Sequence, residues 1–429
     1  MYASILDPIQ ITLIMNLRII LLLIILLAVD FYVYFGLRFL FTSRSSSLRI
    51  FTIVYWAITS IALTIVLAGM VSDWRSWPKA FRMYSFSIVV FSYLTKVLLS
   101  VFLVVDDVVR IFRFSGNYVS GLFSDRTVND SYSVSRMRFL VQFGAVFTAI
   151  PMVSLIYGMT GGAYRYRVRN VKVNLPDLPA AFEGFRAVQI SDLHVGSFLS
   201  QEPLQKAIRL IHKEEPDVIF FTGDLVNDRH QEVLEYRELL STLRAPMGVY
   251  SILGNHDYGD YYRWNTIEEK QENLERLKSM HAEMGWNLLL NKSVHLEKDG
   301  ERIGLIGVEN WSARMNFKRY GDMEKATVGF EPASVNVLLS HDPSHWRSEV
   351  TEKYPYIDLT LSGHTHGFQF GVEIPGFKWS PVQYVYNEWA DLYEQGRQRL
   401  YVNRGLGFIG YPGRVGILPE ITVLEFTRS

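Results

Sequence analysis

At 429 residues the chain is long enough for more than one domain. Its 43 basic and 43 acidic side chains cancel, which excludes the basic excess of a surface that tracks nucleic-acid phosphates. It has no cysteine, which excludes disulfides and thiolate metal sites.

The first ~160 residues are dominated by Leu, Ile, Val, Phe and Tyr. Ile19 to Leu27 is an unbroken aliphatic run, and the apolar stretch extends to about Leu40. Ile50 to Val71 holds no charged side chain and has the length needed to cross a bilayer, about 20 residues. Phe86 to Val105 is similar, interrupted only by Lys96, and Phe139 to Gly158 is a fourth uncharged stretch. These predict about four transmembrane helices over residues 1–160, flanked by the interfacial aromatics Trp74, Trp77, Tyr84, Tyr157, Tyr164 and Tyr166. A removable signal peptide would account for only one of the four. Lys96 and the pair Asp106-Asp107 are ionisable groups at or near membrane depth, where a functional role is the default suspicion. A structural role is the expectation here, with the Asp pair at an interface.

Basic residues occur in every candidate loop, so the positive-inside rule discriminates weakly. Arg110, Arg113, Arg126, Arg136 and Arg138 make one loop the most basic, although Arg165, Arg167, Arg169 and Lys172 follow the fourth span. Ser135-Arg136-Met137-Arg138-Phe139-Leu140 resembles a degraded twin-arginine export signal. Together they favour a bacterial cytoplasmic membrane with everything after Gly158 outside the cytoplasm.

Residues 161–183 read as a linker and lead-in strand, with Asn174-Leu175-Pro176-Asp177-Leu178-Pro179 as its turn-rich end. From 184 to 429, short apolar runs alternate with helical patterns. Ala187–Ile190, Val218–Phe221, Val249–Leu253, Ile303–Val308, Val335–Leu339 and Ile357–Leu361 predict strands, as do Leu400–Val402 and Ile421–Phe426 in the tail. Pro203–Lys213, Glu232–Leu243 and Asn265–Met284 predict helices. The alternation predicts an α/β domain of layered sheets and covering helices. The glycines of Arg404-Gly405-Leu406-Gly407 and Gly410-Tyr411-Pro412-Gly413-Arg414 mark either close backbone approach or simple turns.

Five motifs stand where apolar runs end: Asp192-Leu193-His194, Gly223-Asp224, Gly254-Asn255-His256-Asp257, Ser340-His341-Asp342 and Gly363-His364-Thr365-His366. Ligands bind beyond the carboxyl ends of strands in open α/β sheets, and these polar tips fit that rule. Carboxylate and imidazole without thiolate suit manganese, iron or zinc. In an Asp-x-His strand tip alternate residues point the same way, so Asp192 with His194, and His364 with His366, can each chelate. Asp224 can bridge two ions, and Asn255 offers a neutral oxygen. Two ions about 3.5–4 Å apart would acidify a bridging water and hold both oxygens of an in-line displacement at phosphorus. An isolated His such as His212, His230, His281, His295 or His345 is expected to be a surface or structural residue rather than a catalytic one.

In this order the five motifs resemble the calcineurin-like metallophosphoesterase superfamily, from about Gly184 to the C-terminus. The Phe185-Arg186 start and the Arg404-Gly405-Leu406-Gly407 … Pro419-Glu420 end resemble a membrane-linked bacterial branch of phosphodiesterases and UDP-2,3-diacylglucosamine hydrolases. The resemblance implies a four-layer α/β/β/α sandwich behind the transmembrane helices. It also implies Asp192, His194 and His366 on one metal, Asn255, His341 and His364 on the second, and Asp224 bridging. His256 would be an outer-sphere acid, with Asp257 orienting its ring. The implied reaction is attack by a metal-bridging hydroxide on a phosphodiester or pyrophosphate with inversion at phosphorus. Two departures from the family pattern are Asn227 in Gly223-Asp224-Leu225-Val226-Asn227 and Phe368 in Gly367-Phe368-Gln369.

Phe368, a large aromatic beside the metals, and Arg404 are substrate-lip candidates. The aromatic stretch Phe377–Tyr393, with Trp311, Trp346 and Trp389, reads either as packing or as an apolar lip for a lipid tail. The expected partners are the lipid bilayer and a phosphorylated or lipid-linked small molecule, with no nucleic acid. Two alternatives stand beside this: a cytoplasm-facing UDP-2,3-diacylglucosamine-type pyrophosphatase, and a non-catalytic membrane scaffold.

Overall fold

The structure, a computed structural model, describes residues 8–42, 45–72, 74–121, 131–314 and 317–428. It divides into two units, Met1–Ile156 and Tyr157–Ser429.

The first unit consists of α1 (Pro8–Arg38), α2 (Ser46–Val71), α3 (Lys79–Gly121) and α4 (Ser131–Tyr157). Each is long and apolar enough to cross a membrane, and only 17–22% of each apolar window is buried within the protein. The remaining apolar surface needs lipid, because water would not tolerate a patch of that extent. Val33, Tyr55, Leu99, Leu103, Met137 and Val141 pack between the helices. At about 1.5 Å per residue the 43 residues of α3 run to about 64 Å, twice the hydrocarbon thickness, so the expected loop at Arg110 and Arg113 is helix.

Lys96 is paired with Asp30, an acid the sequence pattern did not single out. Its ammonium also donates to Thr59 Oγ1 at 2.9 Å, while Tyr93 donates to Asp30 Oδ2 at 3.1 Å and Tyr55 to the Asp30 carbonyl at 2.7 Å. A charge in hydrocarbon is tolerated when paired and hydrogen-bonded, which supplies the expected structural role. Asp106 receives Arg110 at 2.7 Å and Arg136 at 2.9 Å, and Asp107 accepts from Tyr32 at 2.6 Å. Two of the five arginines that favoured an extracytoplasmic domain are thus neutralised locally, and Arg126 lies outside the described residues.

In the second unit, β1 (Arg167–Asn174) and β2 (Arg186–Ile190) lead to α5 (Glu202–Lys213) and β3 (Val218–Phe221). The short α6 (Arg237–Leu240), β4 (Val249–Ser251), α7 (Ile267–Glu283) and β5 (Trp286–Leu288) complete the first half. The second half contains β6 (Lys292–Lys298), β7 (Glu301–Gly307), β8 (Asn336–Leu339) and β9 (Leu359–Ser362). A hairpin of β10 (Val372–Ile374) and β11 (Phe377–Trp379) precedes β12 (Asp391–Gln395), β13 (Gln398–Val402) and β14 (Glu420–Thr427). The predicted strands form at their expected places. The helix expected over Glu232–Leu243 does not: it is a 3-10 turn, His230–Val233, and the single turn of α6. Glu232 is committed to the preceding loop, accepting from the backbone N–H of Asn227, Asp228 and Arg229 at 2.7–3.2 Å.

Two six-stranded sheets result, ordered β1-β14-β2-β3-β4-β5 and β12-β13-β9-β8-β7-β6. The lead-in strand β1 is part of the first, pairing in parallel with β14 from Arg167↔Glu420 to Asn174↔Thr427. Strand alternation sorts the side chains into three cores. Ala187, Val218, Phe220, Leu305, Val337 and Leu359 fill the space between the sheets. Val188, Ile190, Ile219 and Phe221 face Leu204, Ile208 and Ile211 of α5 and Leu277 and Met280 of α7. Ile306, Leu338, Leu400 and Val402 face Trp346 and Val350 on the far side. This is the four-layer α/β/β/α sandwich, and β2, β3, β4, β8 and β9 point their carboxyl ends at one cleft.

Candidate metal centre

The ligand residues sit just past the strand ends, in bent backbone rather than in the extended tips that the alternation argument assumed. Asp192, His194, Asp224, His364 and His366 all have left-handed φ, between +45° and +71°. Each such non-glycine conformation costs about 1–3 kcal/mol, and their clustering at one cleft marks a functional site. The loops are fastened to one another: Asp192 N donates to Gly223 O at 2.9 Å, and His194 N to Asp224 O at 3.1 Å. At Gly223 (φ +97°) an added Cβ would lie 2.5 Å from Gly254 N, so only glycine lets the β3 and β4 loops approach.

The expected ligands converge. Asp192, His194 and His366 form one group, and Asp224, His341 and His364 a second, with ligand atoms within 4.8 Å of one another in each. Asp224 Oδ2 stands between the groups, 3.5 Å from His194 Nε2 and 3.2 Å from His341 Nε2. Asn255 Oδ1 lies 2.8 Å from His364 Nδ1, and its amide nitrogen donates to Tyr261 at 3.0 Å, which turns the oxygen toward the second group. All seven ligand candidates are therefore in one place.

The donor chemistry fits divalent cations. His341 gives its Nδ1–H to Thr222 O at 2.7 Å, leaving Nε2 aimed at Asp224 without a hydrogen bond. Burial opposes a charge on that ring, yet Asp224 and then Asp192 raise its pKa to about 10. A cation between His341 Nε2 and Asp224 Oδ2, 3.2 Å apart, would answer the same negative field. His194, by contrast, is lowered to about 3 by burial, and burial also lowers His364 and His366, so these imidazoles are neutral as ligands must be. Burial would raise Asp224, but His341 and His256 hold it well below the carboxylate range. Asp192 is raised to about 6 by burial, which a cation would reverse.

His256 stands beside the first group, its ring 4.9 Å from that of His194, and donates Nδ1–H to Asn227 O at 2.7 Å. That carbonyl, not Asp257, orients the ring. Asp257 faces the other way: its carboxylate accepts from the backbone N–H of Asp224, Leu225, Val226 and Gly254 at 2.8–3.2 Å. The expected ring contact is therefore replaced by a clamp on the loop that carries Asp224. Burial, then Asp224, raises the Asp257 carboxyl to about 7. Asn227, the departure from the family pattern, bonds Ser197 Oγ at 3.2 Å through its side chain.

Of the two lip candidates, Phe368 is 61% exposed beside His366, at φ +58°. Arg404 is fully buried and cannot touch substrate; it pairs with Glu420 at 2.5 Å, Asp391 at 2.8 Å and Glu373 at 2.9 Å. Trp311, Trp346 and Trp389 are buried packing residues. His281 and His345 are structural as expected, bonded to Ser251 Oγ at 3.0 Å and Ser340 Oγ at 2.8 Å.

Two supports escaped the motif reading. Tyr386 OH lies 2.9 Å from His364 Nε2 and donates to Asp342 Oδ2 at 3.2 Å, fixing the ring so that Nδ1 faces the cleft. Buried Arg414 donates to the carbonyls of Arg404 (2.7 Å), Gly407 (2.5 Å) and His366 (3.3 Å), tying the glycine-rich tail to the His366 turn. The Gly407 approach to Leu193 is so close that any Cβ would strike its carbonyl, so close approach, not a simple turn, explains that glycine.

The profile described as "Calcineurin-like phosphoesterase" matches residues 185–368, and "Probable Calcineurin-like phosphoesterase, transmembrane domain" matches 16–163. The uncharacterized metallophosphoesterase YkuE of Bacillus subtilis is 33% identical over 259 residues, 59% of this chain and 82% of that protein. The chain belongs to the calcineurin-like metallophosphoesterase family. It is a membrane protein. A "transmembrane protein with metallophosphoesterase domain" from Danio rerio is 30% identical over 286 residues, 65% of this chain; the chain spans 62% of that relative's length. The UDP-2,3-diacylglucosamine pyrophosphatase LpxG of Chlamydia trachomatis is 29% identical over 289 residues, 56% of this chain and 83% of that protein.

Proposed function

We propose that this metallophosphoesterase holds two divalent ions and hydrolyses a phosphodiester or pyrophosphate carried on a membrane lipid. The observation that carries the reading is the shared position of Asp224 between two His/Asp groups, in a chain whose described residues include four helices long and apolar enough to cross a membrane. Asp192, His194 and His366 would hold one ion, and His341, His364 and Asn255 the other, with Asp224 common to both. When bound, the ions would acidify a water and neutralise charge gathering on the phosphoryl group.

The residues supply the rest. His256, with Nδ1–H given to Asn227 O, keeps Nε2 as the atom that can exchange a proton with a departing oxygen. Asp257 fixes the Asp224 loop, and the Tyr386–Asp342 pair fixes His364. Phe368, exposed beside the ligands, offers an apolar surface to a substrate tail.

Within this reading the name of the LpxG relative favours a UDP-linked acyl sugar as one substrate, which would require the domain to face the cytoplasm. The arginine-rich loop would instead place the domain outside a bacterial cytoplasmic membrane. A panel of soluble diesters, phospholipids and UDP-linked acyl sugars, run with manganese in detergent, tests the proposal. Turnover of a lipid-linked substrate above soluble diesters supports it, and preference for a soluble diester alone contradicts the lipid assignment. Protease accessibility of a C-terminal tag in intact cells separates the two orientations.

A further inference from the structure

The β10–β11 hairpin has its polarity inverted. Its register is Val372↔Trp379, Glu373↔Lys378 and Ile374↔Phe377. In a strand, alternate residues face opposite sides, and an ordinary surface hairpin turns its charges to water. Here the charged pair turns inward: Glu373 meets Arg169 at 2.6 Å and Arg404 at 2.9 Å, while Lys378 meets Asp391 at 2.6 Å. The outward face is apolar, with Val372, Ile374 and Phe377 exposed by 43, 58 and 54%. Tyr384 and Val385, 77 and 50% exposed, extend this face, and Trp379 Nε1 reaches Tyr384 OH at 3.4 Å. Such a patch needs a partner.

Two observations point to the bilayer as that partner. The fourth span runs to Gly162, and β1 begins at Arg167. Residues 163–166 reach about 15 Å at most when extended, so only a short tether joins the span to the domain. Moreover, the hairpin is fastened to the first residues of the second unit itself. Arg169 of β1 holds Glu373, and Gly371 N donates to Val415 O at 2.9 Å. The adjacent Arg414 N donates to Gly158 O, near the start of the second unit, at 3.1 Å. The same hairpin is also fastened to the metal centre, because Ser380 Oγ donates to the carbonyl of Gly367 at 2.8 Å, next to His366.

We propose that the β10–β11 hairpin, with Tyr384 and Val385, docks into the bilayer interface and holds the mouth of the metal centre against the lipid surface. This rests on the membrane-phosphoesterase reading and deepens it: the substrate is met where its headgroup lies. Aromatic and aliphatic side chains on a small moment-bearing element suit the headgroup boundary.

The chain has no cysteine, so Phe377→Cys and Val328→Cys each carry a single spin label on the full-length protein. Val328 is 81% exposed and lies outside the hairpin. The proteins are reconstituted in vesicles of phosphatidylethanolamine and phosphatidylglycerol, with a nickel chelate on both sides. Docking predicts that the ratio of oxygen to nickel relaxation exceeds unity at 377 and falls below it at 328. Equal, water-like ratios at both sites overturn the proposal. So does dipolar broadening at 377, which would mean that a second copy covers the face. Ile374→Cys, the cross-strand neighbour of Phe377, repeats the test should the first variant misfold. Turnover of bis(p-nitrophenyl) phosphate with manganese in the same vesicles reports on the phosphoesterase reading separately. Its loss alongside a lipid-deep label would strike that reading and leave docking standing.

Discussion

Asp257→Asn separates the clamp role from a role on the His256 ring. Oδ1 of Asp257 accepts from Leu225 and Val226, and Oδ2 from Asp224 and Gly254. An amide keeps one oxygen and presents N–H groups to the other pair, so two charge-assisted bonds are lost inside a fully buried pocket. At about 1.5–3 kcal/mol for each bond to a charged group, the cost is about 3–6 kcal/mol. For a domain of this size about 2–4 °C accompanies each kcal/mol, so Tm falls by at least about 6 °C. The assay is thermal unfolding of the chelator-treated protein at pH 8, above the Asp257 value of about 7, so that the carboxylate is ionised. Ion titration on the same sample follows Asp224, whose φ of +58° depends on that loop. A Tm within about 2 °C of the parent, with unchanged ion affinity, would refute the clamp, since two lost buried bonds cannot be that cheap.

Arg404→Ala removes the fully buried guanidinium from Glu420, Asp391 and Glu373, leaving them to the partly exposed Arg169 and, for Asp391, Lys378; it should destabilise by about 3 kcal/mol in a thermal melt, with KM for a soluble diester unchanged because Arg404 touches no substrate. Tyr386→Phe releases His364 Nε2 and should weaken ion binding about tenfold by calorimetry; unchanged affinity would remove Tyr386 from the support of the site. His281 is lowered from 6.5 to about 3 by burial, so the unfolded chain takes up its proton first as pH falls. Its contribution is intact above pH 6.5 and declines at about 1.4 kcal/mol per pH unit below it, and His281→Gln should flatten the Tm profile between those values.

The sequence carried the ligands because the five motifs combine residue type with position at strand ends, and both survive in three dimensions. The sandwich was legible for the same reason: each strand is a short apolar run bounded by polar tips. What escaped were contacts between distant segments. Asp257 looked like a partner for its neighbour His256, but its carboxylate is taken by the backbone N–H groups of Asp224, Leu225, Val226 and Gly254. Arg404, a lip candidate within a glycine-rich segment, instead meets three carboxylate partners up to 31 positions away. Asp30 was hidden by an apolar run, and only the Lys96 pairing reveals it. The helix over Glu232–Leu243 failed because periodicity does not register that Glu232 caps the preceding loop.

The central claim is a two-ion centre organised by Asp224. Elemental analysis of the purified full-length chain, paired with hydrolysis of bis(p-nitrophenyl) phosphate, tests it most directly. The account predicts two manganese, iron or zinc ions per chain in the parent, with ion content and turnover both lost in Asp224→Ala. Fewer than one ion per chain in an active parent, or unchanged turnover in Asp224→Ala, would contradict it.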